Sequence, residues 1–107
     1  MRNLLVVDMQ KGFINENNSF LIDKINNLLK TGKYDNVFYT KFYNHKNSFY
    51  INFFNWDLMI NKEERQMAVN VLPNSTTFVK NGYGLKNSQI KKLKQLNITS
   101  MDICGTD

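Results

Sequence analysis

The chain has 107 residues and a mass of 12.6 kDa, with 42% apolar, 13% aromatic and 21% charged side chains. Those figures exclude a second independent core and a wholly disordered or collagen-like chain, leaving a single domain over residues 1–107. The net charge of +5 comes from scattered lysines, and their one cluster, Lys86, Lys91, Lys92 and Lys94, reads as a solvated helix face, so no nucleic-acid partner is expected.

No apolar run approaches the roughly 20 residues that cross a bilayer, and the start of the chain lacks a signal-peptide pattern. No membrane partner is expected, and the cytoplasm is the expected compartment. A single cysteine, Cys104, excludes an intramolecular disulfide, and with one histidine, His45, a zinc site built from Cys and His alone is not expected. Seventeen asparagines and a single alanine, Ala68, are unusual but imply no function.

Residues 3–8, NLLVVD, form a continuous apolar run ended by a carboxylate, the pattern of a strand buried on both faces of a parallel sheet. Leu21, Ile22, Ile25, Leu28 and Leu29 then recur at helical spacing, with Asn18 or Ser19 to cap the helix and Gly32 to end it. Residues 37–42 are β-branched and aromatic and predict a second strand, joined to the first by a right-handed crossover. Residues 43–60 are aromatic and Asn-rich without clean periodicity, which predicts a long loop holding one helical turn, of a kind that is often functional. Asn61 followed by Glu63 and Glu64 opens a short helix, and Pro73 stops whatever follows. Residues 76–80 predict a third strand with a turn after it. A helix capped by Asn87 or Ser88 carries Ile90, Leu93 and Leu96 on one face, and residues 98–104 predict a fourth strand.

This alternation of strands and helices predicts a Rossmann-like α/β domain, a three-layer α/β/α sandwich around a parallel sheet. A doubly wound domain seldom stops two residues after a strand, so the domain is expected to lack its C-terminal part. The uncovered strand edge predicts association into a homo-oligomer.

Ligands of open parallel sheets bind beyond the carboxyl ends of the strands, which singles out Asp8, Lys80 and Cys104. Position alone leaves two readings of Asp8 open, a turn carboxylate bonding local N–H groups and an acid facing a ligand. By itself Lys80 reads as an ordinary exposed lysine, Cys104 as a small apolar filler and His45 as a solvated loop residue.

Residues 4–13, LLVVDMQKGF, closely resemble the first strand of the isochorismatase-like cysteine hydrolases, a family that includes nicotinamidases and related amidases. Residues 39–44 (YTKFYN) with Ser48 and Trp56, then 79–83 (VKNGY), then 103–105 (ICG), follow in the family's order and cover the chain from end to end. The resemblance implies the N-terminal portion of such a domain, with strand order third-second-first-fourth and Asp8 and Lys80 converging within direct or water-bridged reach. It implies that Asp8 takes the proton from a nucleophilic thiol and that Lys80 stabilises the charges.

The same resemblance implies a substrate pocket lined by Phe13, Phe42, Trp56 and Tyr83, and a small-molecule substrate cleaved at an amide or related C–N bond. The family's nucleophile follows the glycine and a Thr-Asp turn, whereas Cys104 precedes Gly105, so Cys104 is read as core and the nucleophile as lying beyond Asp107. This chain alone is then expected to be inactive. A vinyl-ether hydrolase of the isochorismatase type and a non-catalytic interaction module are the alternatives. Nicotinamidases of the family carry a metal-binding Asp-x-His after the second strand. Residues 42–45 here read FYNH, without that aspartate, so no metal or other cofactor is expected, Asn44 and His45 being the only candidate ligands.

Overall fold

The computed structural model describes residues 2–45 and 48–106. Four strands, β1 (Asn3–Val7), β2 (Asn36–Phe42), β3 (Thr76–Lys80) and β4 (Asp102–Gly105), form one sheet in the order β3-β2-β1-β4, all neighbours parallel. The α/β architecture, the parallel sheet and the central place of the first strand agree with the sequence reading. β1 is central because it is apolar on both sides: Leu4, Leu5 and Val6 are all buried, and each such side chain contributes about 1.5–3 kcal/mol on leaving water.

The two faces are covered separately. Leu4, Val6 and Tyr39 pack against Ile25 and Leu29 of α1 (Phe20–Lys30), which ends at Gly32 in the left-handed conformation (φ +66°) as predicted. Leu5, Phe38 and Phe78 form the second core, with Leu85, Leu93, Ile98 and Met101 from α4 (Asn87–Gln95) and its flanks closing over it. The rings of Phe38 and Phe78 lie parallel at 5.9 Å.

Four local expectations are corrected. The fourth strand begins at Asp102, not Ile98. At the end of α4, Asn97 adopts φ +60°, its N–H donates to the Lys94 carbonyl and the Ile98 N–H donates to the Leu93 carbonyl. This double closure holds Ile98 against Leu93 and spends its backbone on the helix rather than the sheet.

Neither Asn87 nor Ser88 caps α4. Lys86 occupies that position, its backbone N–H donating to Gln89 Oε1 at 2.9 Å while Gln89 Nε2 reaches the Val79 carbonyl at 2.8 Å, which ties the helix to β3. Before α1, Ser19 sits at the cap but makes no side-chain bond there. The approach is instead ordered by Asn15 Oδ1, which accepts the N–H groups of Asn17 and Asn18, and by Asn18 Oδ1, which accepts that of Asn15.

Between β2 and β3 lie α2 (Phe49–Phe54) and α3 (Lys62–Arg65). Asn61 caps α3 as expected, its side chain accepting the Glu64 N–H at 2.8 Å. α2 is longer than the single turn expected, opened by Ser48 and ended by Asn55 at φ +52°. Among the described residues no helix is long and apolar enough to cross a membrane.

β4 approaches β1 closely where the two strands end. Gly105 has φ +122°, and a Cβ there would stand 2.2 Å from the Val7 carbonyl oxygen. Gly105→Ala is therefore expected to lower the stability by about 3 kcal/mol, combining backbone strain and overpacking. Gly32→Ala, where φ is +66° but nothing lies within 4 Å, should lose only about 1 kcal/mol. Urea unfolding midpoints at unchanged m-value measure both.

Candidate active site

Asp8 leaves β1 in the left-handed region, at φ +50°, a conformation that costs a non-glycine residue about 1–3 kcal/mol unless its surroundings enforce it. They do so through five bonds. The Asp8 N–H is shared between the Thr40 carbonyl at 3.2 Å and Thr40 Oγ1 at 3.1 Å. The Thr40 hydroxyl donates to Asp8 Oδ1 at 2.7 Å. The Asp8 carbonyl accepts the Gln10 N–H at 2.8 Å and the Thr106 hydroxyl at 2.9 Å.

This turn directs the second carboxylate oxygen toward β3. Lys80, paired in register with Phe42, brings its Nζ to 3.1 Å from Asp8 Oδ2, and the two side chains are only 3% and 7% exposed. Lys80 Nζ also donates to the Tyr83 carbonyl at 2.8 Å. Lys80 is thus not the exposed strand-end lysine that its position alone suggested. A buried ion pair is weak as a stabilising device, because desolvation offsets most of the Coulomb attraction and apolar packing of similar volume does as well.

The pair lies in the wall of a cavity of about 820 Å³ at the carboxyl edge of the sheet, lined also by Phe13, Phe42, Trp56 and Tyr83. Asp8, Lys80 and the four aromatics that the resemblance placed in the pocket thus come together, and Cys104 does not join them. Three more aromatics from α2, Phe49, Tyr50 and Phe54, join the lining with Gly82. Their only sequence signal was the aromatic density of residues 49–56. Phe13 and Trp56 stack at 6.4 Å, and the Tyr50 ring meets Phe42 and Trp56 edge-on at 5.7 Å each.

Two buried side-chain amides hold these rings in place. Gln10 pairs with the backbone of Phe42 as a neighbouring strand would, accepting its N–H at 2.7 Å and donating to its carbonyl at 2.9 Å, and also donates to the Arg65 carbonyl at 2.9 Å. Asn44 donates to the carbonyls of Trp56 at 3.0 Å and Leu58 at 2.9 Å, while its oxygen accepts the Ser48 hydroxyl. Asn44 is therefore committed to the loop, both of its amide donors and its oxygen bonding loop groups. His45 is exposed and packs on the Tyr43 ring.

Cys104 lies in the α1 layer, half-buried against the first core, and does not line the cavity. Burial pushes its thiol above the ordinary range, the opposite of what a nucleophile needs.

Removing one partner of the ion pair strands the other. Lys80→Met should cost about 3–5 kcal/mol, and adding Asp8→Asn should recover most of that loss, as read by chemical denaturation of both single variants and the double. A raised thiol pKa means less thiolate at a given pH, so iodoacetamide should modify Cys104 in the folded chain more slowly than in urea at pH 8. The folded-state rate should keep rising with pH beyond the range in which the unfolded rate levels off.

No family model matches the chain, and no curated protein does. Solved structures do match. The chain superposes on the pyrazinamidase of Pyrococcus horikoshii in complex with zinc with a TM-score of 0.78 at 19% identity, over 99% of this chain and 70% of that one. For the N-carbamoylsarcosine amidase from Thermoplasma acidophilum the values are 0.77, 17%, 100% and 69%. For an isochorismatase-like hydrolase from Alkaliphilus metalliredigens they are 0.74, 12%, 99% and 65%. Among the described residues no three His, Cys, Asp or Glu side chains come together to hold a metal, and the Asn44 amide is already committed. With its strand order, its parallel sheet and these superpositions over essentially its whole length, the chain has the fold of the isochorismatase-like hydrolases.

Proposed function

We propose that the chain supplies the acid and the amine of an isochorismatase-like cysteine hydrolase that cleaves a small amide or a related C–N bond. The observation that carries this reading is the Asp8–Lys80 pair, held at 3.1 Å and almost wholly out of water in the wall of an aromatic cavity. Such a pair gives stability little advantage over apolar packing, whereas a fixed carboxylate at a ligand site is suited to act as a base. The fold likeness to a pyrazinamidase and an N-carbamoylsarcosine amidase supports the same reaction class.

In this reading Asp8 accepts the thiol proton and the sulfur attacks the substrate carbonyl. Lys80, no longer neutralised by a carboxylate, then stabilises the negative charge that develops. The proton passes to the departing nitrogen, and water hydrolyses the thioester to the acid. Phe13, Phe42, Trp56 and Tyr83 hold the body of the substrate. Cys104 has no part in this chemistry, and the reading assigns the nucleophile to a cysteine that follows Asp107. What supports that assignment is the Thr106 hydroxyl bonded to the Asp8 carbonyl, which sets the end of β4 beside the turn that carries the carboxylate. The reading also makes the protein cytoplasmic and self-associating. The position of β4 at the sheet edge and the 68% exposure of Ile103 on it support the association.

Ammonia release from nicotinamide and simple aliphatic amides tests the proposal, comparing this chain with one continued through the next turn and helix. The continued chain is expected to turn over an amide. Asp8→Asn and Lys80→Met should each lower kcat by about 10²–10⁴-fold, and Cys104→Ser should change it less than twofold. Turnover by this chain alone that disappears in Cys104→Ser would overturn the assignment.

A further inference from the structure

We propose that the cavity selects uncharged ligands with an apolar body and rejects their carboxylate counterparts, so that the acid formed by amide hydrolysis binds at least tenfold more weakly than the amide. This rests on reading the cavity as the substrate site. The reaction converts R–CONH2 and water into R–COO⁻ and NH4⁺, so substrate and product differ by one full negative charge at nearly constant shape.

The lining carries one carboxylate and one ammonium, and they neutralise each other at 3.1 Å. Among the described residues Lys80 is the only cation in that lining. Its side chain is 3% exposed, with donors directed to Asp8 Oδ2 and the Tyr83 carbonyl. A ligand carboxylate would therefore have to share an ammonium that Asp8 already holds, with two like charges close together. The remainder of the wall is aromatic apart from Gly82. Ring faces present the negative side of their quadrupole and do not solvate an anion, and an anion without a partner is costly to take from water.

The chain's overall charge of +5 acts in the other direction, but its cationic cluster Lys86, Lys91, Lys92 and Lys94 is exposed on and beside α4. Exposed charges are screened over about 8 Å at physiological ionic strength. They raise the encounter rate of an anion without giving it a partner inside the cavity. A neutral amide needs no partner cation, and among the described residues the lining offers it the Tyr50 and Tyr83 hydroxyls and the Trp56 indole N–H as further polar groups.

Trp56 is the single tryptophan of the chain and lies in the cavity wall, so its fluorescence reports occupancy without any turnover. Benzamide and benzoate have nearly the same shape and differ by one charge. Titrated at pH 7 with absorbance correction, benzamide is expected to change the Trp56 emission saturably and benzoate to bind at least tenfold more weakly. Asp8→Asn removes the competing carboxylate from Lys80 and should tighten benzoate at least tenfold while moving benzamide less than threefold. Equal or tighter binding of benzoate by the unaltered chain overturns the proposal, as does a Trp56 signal that neither ligand changes. That comparison decides even where Asp8→Asn does not fold. Selective benzamide binding with no hydrolysis by the continued chain would sink the hydrolase reading and leave the charge selection standing.

Discussion

The arrangement of this domain turns on one constraint, a carboxylate and an ammonium held together out of water at the end of a sheet. Neither ion can be left unpartnered there, since an isolated buried charge costs several kcal/mol. The surroundings accordingly supply every contact: the Thr40 hydroxyl on one carboxylate oxygen, Lys80 on the other, and the Tyr83 carbonyl on the amine. The left-handed turn at Asp8 is part of the same constraint. Without it β1 would run on and its carboxylate would follow the strand's alternation instead of facing β3. Gly105 and Thr106 close the turn from the other side, one by having no Cβ and the other by a hydroxyl bonded to the Asp8 carbonyl.

The aromatic wall depends on a second device, the use of side-chain amides where no strand is available. Gln10 bonds both backbone groups of Phe42 beyond the reach of β1, and Asn44 gathers Trp56, Leu58 and Ser48. Buried amides leave few alternatives open because each unmet donor or acceptor is costly. The loop therefore has one favoured arrangement despite its lack of regular structure. The asparagine-rich composition finds structural use here and in the turns before α1 and α3.

The likeness to solved hydrolases, at 12–19% identity, is one of fold, and folds host many chemistries. The functional argument therefore rests on the site. Its elements are a carboxylate held by Thr40, an amine held by that carboxylate, and a wall whose charges cancel. In the proposed reading that cancellation bears on binding as well as catalysis, because the same pair that would transfer the proton presents almost no net field to a ligand. Cys104, the chain's only thiol, stands outside this arrangement on the other face of the sheet, where burial suppresses its thiolate.

The sequence by itself determined the parts that local patterns encode. A run of buried-type residues ending in a carboxylate specified a central parallel strand, and the alternation of periods specified the layers. Because ligands gather at strand ends, the same run also pointed to Asp8, Lys80 and the edge where they lie. Family resemblance then added Phe13, Phe42, Trp56 and Tyr83 to one wall. What it could not carry was anything settled by contacts between distant segments. Ile98 read as strand, and the closure at the end of α4 took it for the helix. No sequence pattern assigned Asn44 its partners, and Trp56, Leu58 and Ser48 met its amide only in the fold. The exposed lysine suggested by the position of Lys80 became a buried ion, and Phe49, Tyr50 and Phe54 joined the wall, only once β1, β2, β3 and α2 were set side by side. The physical reason is the same each time: burial, hydrogen-bond partners and charge pairing depend on what the folded chain brings near, and no local spacing records that.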